Sequence, residues 1–288
     1  MNLVAAFRGE LYKTVKRPAI WVCIGLLLML AVLLGYALSW YLFTHPPAGA
    51  TRNQAPGAPT FDQLKVILYP ASFVKQTLNQ WSTLGGVFAL ILGVLSQGSE
   101  YGWGTVKTLF TQHPSRVSML VGKVLALALT VLLTVVLLFA VDAGSSYVIA
   151  LVDGKSTDFP ALIDIEKGVA AAWLIFGFWA AFGFGLATLF RQSAMAIGLG
   201  LAYAILIEGI LLNILASVGG DVVKQIQQWF PIANTGYLAQ SFGTAIRAAG
   251  QPAVKPLADA NHAVTVLLIY VAVFVVGSAI LVRQRDVT

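Results

Sequence analysis

Six stretches of this chain stay apolar for long enough to cross a lipid bilayer, and no other property restricts its fold as tightly. A bilayer core of about 30 Å needs about 20 apolar residues in a helix. The runs extend roughly from Ala19 to Phe43, Trp81 to Gln97, Leu120 to Leu151, Val169 to Phe190, Ala194 to Val218 and Ala263 to Val282. Lipid offers no hydrogen bonds to the backbone, which leaves helices or closed barrels. Barrel strands alternate in polarity, and these runs do not. The expected fold is all-α: six transmembrane helices in a single membrane domain over residues 1–288.

Composition agrees. The chain is 58% hydrophobic and 10% charged, with a mean hydropathy of +0.81, whereas soluble domains run about 45–50% apolar and about 25% charged. A soluble enzyme, a disordered chain and a nucleic-acid module are excluded. The net charge of +6 then serves to orient the spans, because Lys and Arg near span ends stay on the cytoplasmic side. With both termini inside, ten Lys and Arg fall inside and eight lie outside in longer loops; the net charges are +7 inside and +1 outside. Arg8, Lys13, Lys16 and Arg17 before the first span, Lys107, Arg116 and Lys123 around the third, and Arg283 and Arg285 after the last all favour termini in the cytoplasm. The first span, about 25 residues long, exceeds the 7–15 of a signal-peptide core and is expected to remain as an anchor. Cys23 is the single cysteine, so no intramolecular disulfide can form.

Several segments between spans are patterned. Residues 1–18 place Leu3, Phe7 and Leu11 four apart among basic residues, which predicts an amphipathic helix in the inner interface against anionic lipid. The plainer alternative is a basic flank that happens to be helical. Outside, Phe61, Leu64 and Leu68 predict a short interfacial helix before the second span. Residues 219–261 predict two short helices broken at Pro231. The inner loop starts near Glu100; Thr105 is a candidate N-cap of a short helix to about Thr111, which Pro114 ends, and Ser115-Arg116 opens the next helix. An ordinary self-capped loop is the alternative.

The order of these pieces resembles a known family. Glu10-Leu-Tyr-Lys13 and Arg17-Pro18 precede the first span; Glu100-x4-Thr105-x-Lys107, Pro114-Ser-Arg116 and Gly122-Lys123 follow the second. Together with the span layout, they resemble the type-2 ATP-binding-cassette (ABC) permeases of bacterial exporters. The resemblance implies a permease subunit in the bacterial cytoplasmic membrane, with an N-terminal elbow helix and short outer helices before the last span. It also implies a second permease chain, identical or similar, and two copies of a separate ATPase that binds ATP and Mg. The ATPase would dock on the loop carrying Glu100, Thr105, Lys107, Pro114, Arg116 and Lys123. The chain itself has no P-loop: the string Gly154-Lys155-Ser156 lacks the first glycine, Ile149 standing in its place. It has no zinc-protease or nucleophile-elbow motif either. His45, His113 and His262 are scattered, so neither an enzyme nor a metal site is expected, and no cofactor is expected on this chain.

Two acids interrupt the apolar runs. Asp142 lies near the outer end of the third and Glu208 past the midplane of the fifth. A carboxylate at a helix centre costs roughly 3 kcal/mol on insertion scales, so each reads either as a pathway or pairing residue or as an acid that is wet, protonated or bonded to a neighbouring helix. They also sustain an alternative function, an ion- or proton-coupled carrier working without an ATPase, although no inverted repeat supports it. The four-spaced rows Gly177, Ala181, Gly185 and Ala194, Gly198, Ala202, with Ala196, Gly200 and Ala204 beside the second, predict close packing between spans four and five, the alternative being a subunit interface. Nothing in the sequence names the substrate.

Overall fold

The structure, a computed structural model, describes residues 3–46, 60–102, 116–243 and 257–284. Among these residues every regular element is helical. The elements are α1 (Leu3–Lys16), α2 (Pro18–Thr44), α3 (Phe61–Lys65), α4 (Phe73–Trp81), α5 (Leu84–Gly102), α6 (Arg116–Val152), α7 (Leu162–Phe190), α8 (Ser193–Leu211), α9 (Leu212–Val218), α10 (Gly220–Gln227), α11 (Pro231–Gln240) and α12 (Ala260–Gln284). Among the described residues, five helices (α2, α6, α7, α8 and α12) are long and apolar enough to cross a membrane. A sixth span results if the bent pair Pro70–Trp81 and Leu84–Gly98 is taken as one. The chain is therefore an all-α, multi-pass membrane protein.

Local chemistry sets the element boundaries. Arg17 is extended because a proline follows it, and Pro18 occupies the first helical position, where its missing N–H costs nothing. Trp21 closes the resulting elbow by donating its indole N–H to the Val15 carbonyl at 2.8 Å. Thr60 and Gln63 form a capping box at the start of α3, in the place where a helix was expected from Phe61 and Leu64. The two short helices expected around Pro231 are α10 and α11, with Pro231 as the first residue of the second.

The run expected from Trp81 to Gln97 falls mostly in α5, and at its first residues the helices Pro70–Trp81 and Leu84–Gly98 meet at a bend of 60°. At the break Trp179 donates its indole N–H to the Ser82 carbonyl at 3.1 Å, while Gly85 and Gly86 lie against Phe176 and Trp179. The large rings of α7 thus fill the angle, and glycines are what allow them in.

The tightest packing joins α5 to α7. A Cβ on Gly93 would collide with the carbonyl oxygen of Ala180, and one on Gly183 with that of Leu90. Such backbone approach is what small residues achieve between helices in lipid. Spans four and five do touch, and Gly200 stands against Leu186 of α7 and Leu90 of α5, whereas Gly177 and Gly198 face open space and Gly185 abuts Phe274 of α12. Four-residue spacing identified small faces without identifying which helix each one meets.

Two stretches, Ala31–Ala37 in α2 and Tyr203–Leu211 in α8, form wide π-helical turns. Both contain a buried polar side chain, Tyr36 in the first and Glu208 in the second.

Candidate coupling face and intramembrane acids

At the end of the bundle where the chain begins, α1 lies across the start of α6. Gly122 makes this possible: a Cβ there would stand 2.9 Å from both the Ala6 Cβ and the Phe7 backbone nitrogen. The buried face of α1 is Ala6 and Glu10. The Leu3, Phe7, Leu11 stripe is split, with Leu3 44% exposed and the other two half-buried. Exposed Val4, Tyr12 and Val15 stand beside exposed Arg8 and Lys16, a mixed face suited to a headgroup boundary. Glu10 pairs with Lys13 at 2.7 Å, one helical turn away.

Two further ties fasten this joint to α5. The guanidinium of Arg17 donates to the Leu95 carbonyl at 3.0 Å. Lys123 is only 2% exposed, and its Nζ donates to Gln97 Oε1 at 3.1 Å. A cation buried this deeply needs hydrogen-bonding partners to be tolerated, and Gln97 is one. Of the other expected coupling residues, Glu100 lies in the last turns of α5 and Arg116 opens α6. Thr105, Lys107 and Pro114, with the helix expected from Thr105, lie outside the described residues. The joint thus brackets the segment 103–115 from both sides.

At the opposite end, Asp153 accepts two hydrogen bonds at 3.1 Å, from the Trp40 indole of α2 and from the Tyr69 hydroxyl. Burial and the neighbouring Asp153 push the Tyr69 phenol up to about 12, so it remains a neutral donor. In the sequence Asp153 is one acid among the charges of the outer loops. Its position at the end of a helix, with aromatics at the ends of two other segments, was the available signal.

Asp142 is completely buried. Thr77 of α4 donates its hydroxyl to Oδ2 at 2.6 Å, so the acid is bonded to a neighbouring helix.

Glu208 completes another helix. The N-cap of α11 is Phe230, which has no side-chain acceptor. Glu208 Oε2 instead accepts from the backbone N–H of Ile232 at 2.9 Å and of Ala233 at 3.1 Å. A carboxylate there satisfies orphan donors and faces the positive end of the helix dipole. The adjoining turn is held by Asn234 Nδ2, which donates to the carbonyls of Gln228 and Phe230 at 2.7 Å. His262 of α12 also reaches the Gln228 carbonyl, at 3.0 Å. Among the described residues no three of His, Cys, Asp and Glu come together as metal ligands.

Against this geometry, the family model described as ABC-2 family transporter protein matches residues 4–287, nearly the whole chain. No curated protein matches.

Proposed function

The chain belongs to the ABC-2 transporter family, and from that premise we propose that it is the permease subunit of an ATP-driven exporter. Two permease chains, identical or similar, form the pathway. Two copies of a separate ATPase bind the face built from α1, the end of α5 and the start of α6, where Glu100, Thr105, Lys107, Pro114, Arg116 and Lys123 lie on or beside the segment 103–115. ATP and Mg belong to that partner. The termini face the cytoplasm of a bacterial cell, as the distribution of Lys and Arg favours.

The observation that carries this reading is the form of α6. It has 37 residues, about 55 Å at helical rise, which exceeds the bilayer core. Its first turns hold Gly122 under α1 and Lys123 against Gln97. Beyond its other end, Asp153 ties α2 and the Tyr69 segment together. A push on 103–115 would reach the far end through one continuous helix. Nucleotide shifts the resulting two-state equilibrium only through its different affinity for the two states. The exposed apolar faces of α8 and α12 suit lipid or a second permease.

Copurification with the cognate ATPase tests the reading. The chain alone should hydrolyse no ATP, the pair should form a complex, and Glu100→Ala with Arg116→Ala should impair stimulated hydrolysis while leaving insertion intact. Transport by this chain alone in liposomes would overturn the proposal in favour of the ion-coupled carrier that the intramembrane acids allow.

A further inference from the structure

We infer that Asp142 is a proton-binding site inside the membrane-spanning bundle, built where the second span breaks between α4 and α5. Three elements converge there. α6 supplies Asp142, α4 supplies Thr77 and Trp81, and the π-helical turn of α2, which packs on α6, supplies Tyr36. Thr77 occupies one carboxyl oxygen. The other oxygen, Asp142 Oδ1, makes no well-formed hydrogen bond, although the Trp81 indole acts on the carboxyl; nor does the hydroxyl of Tyr36, a residue only 1% exposed that lies against Thr77. Two under-satisfied polar atoms buried in a membrane helix bundle are costly unless they have a task.

The identity of the ligand follows from charge and space. Among the described residues no basic group acts on Asp142; the one titratable side chain that does is Tyr36, while α4 presents Thr77 and the indole of Trp81. A buried carboxylate lacking a cation neutralises by taking up a proton. A metal ion would need a shell of several oxygen ligands. The adjoining cavity has only about 10 Å³ of water-sized space, and α7 walls it with Ala172, Ile175 and Phe176. The carbonyl of Ser82, which also lines it, already accepts from Trp179. A proton needs no such shell.

Binding is tied to shape because Thr77 and Trp81 are carried by the short arm of the bent span. With the arm as it stands, the site is closed and the acid is neutral. Straightening the break withdraws Thr77 and admits water; the carboxyl proton passes to a water molecule, and the carboxylate is stabilised by hydration. Closure takes a proton back. This does not rest on the ATPase docking proposed above.

Infrared spectroscopy of the purified full-length chain in lipid bilayers tests the inference. At neutral pH the wild type should show the carbonyl stretch of a protonated, dry carboxylic acid, shifted by deuterium exchange. Asp142→Asn should abolish that band and keep the wild-type unfolding midpoint, since the amide imitates the neutral acid. Thr77→Val should preserve the band but shift it to higher frequency, because a hydrogen bond to the carbonyl is lost. With Glu208→Gln as the background, so that the other buried acid contributes no band, absence of the band or its persistence on adding Asp142→Asn would overturn the site. If Asp142→Asn does not fold, the Thr77→Val comparison decides alone: a moved band supports the site, and an unmoved or missing band refutes it.

Discussion

Replacing Glu208 separates its two jobs, accepting hydrogen bonds and carrying charge. Glu208→Leu removes both acceptor contacts to the first turn of α11, leaving the N–H groups of Ile232 and Ala233 with nothing in place of Oε2. An orphaned buried donor costs about 1–3 kcal/mol, and loss of a capping side chain costs about 0.5–2 kcal/mol. Ile232 and Ala233 are half-buried, so water can satisfy part of the deficit, and the lower part of these ranges applies: about 2 kcal/mol for both bonds. Glu208→Gln keeps an acceptor oxygen and loses only the interaction of charge with the helix dipole, about 0.3–1 kcal/mol. At 1.4 kcal/mol per tenfold, exchange of the amides at the start of α11 should accelerate about thirtyfold in the leucine variant and about fivefold or less in the glutamine variant. Hydrogen–deuterium exchange over residues 230–240, with α7 as internal reference, reads this directly. Transport should follow the same order, with glutamine retaining most of it. Equal protection in wild type and Glu208→Leu would refute the capping role, and equal loss in both variants would show that the charge, not the hydrogen bonding, is what matters.

Three further outcomes are expected. In a Cys23→Ala background, single cysteines at Asn53 and Ser156 should react with an impermeant thiol reagent added to intact cells, whereas one at Ser115 should not; labelling of Ser115→Cys would reverse the orientation. Gly122→Leu should dislodge α1, since even a Cβ there stands 2.9 Å from the Phe7 backbone nitrogen, and proteolysis at the elbow should increase while the spans stay inserted; unchanged cleavage would mean that α1 does not need that seat. The Tyr69 phenol is raised from 10 to about 12, so its contribution is intact below pH 10 and lost as pH climbs toward 12; the unfolding midpoint should fall across that window in the wild type and fall less in Tyr69→Phe, and matching slopes would refute the pairing with Asp153.

What could be read from the sequence divides along physical lines. Hydropathy is a property of a run, so the spans from Pro18 to Thr44 and from Ala260 to Gln284 appear within a few residues of their expected limits. Proline and capping chemistry are local as well, which is why Arg17-Pro18, Thr60 and Pro231 mark real boundaries. Partners across helices leave no such trace. Nothing near Lys123 announces Gln97, nothing near Asp142 announces Thr77, and Glu208 meets backbone amides that every residue but proline possesses. The bend before α5 was hidden for a related reason: Trp81, Gly85 and Gly86 suit an apolar run as well as they suit a break filled by the rings of α7. The π-helical turns were equally silent, because a helix that is apolar all round loses the periodicity that would betray an extra residue.

The two acids stood out because the cost of a carboxylate in lipid is itself local. What the fold adds is that each lies at an irregularity of the backbone. Glu208 sits within a π-helical turn and holds a short helix; Asp142 faces another π-helical turn and the arm of a broken span. Regular apolar helices slide or tilt as rods, whereas π turns and breaks are places where backbone hydrogen bonds can be exchanged at small cost. Polar side chains at those places give each arrangement its own set of partners. Movement during transport is therefore expected at the α4–α5 break and at the contact of α8 with α11, with the α5–α7 pair, locked by Gly93 on Ala180 and Gly183 on Leu90, as the fixed frame against which both are displaced.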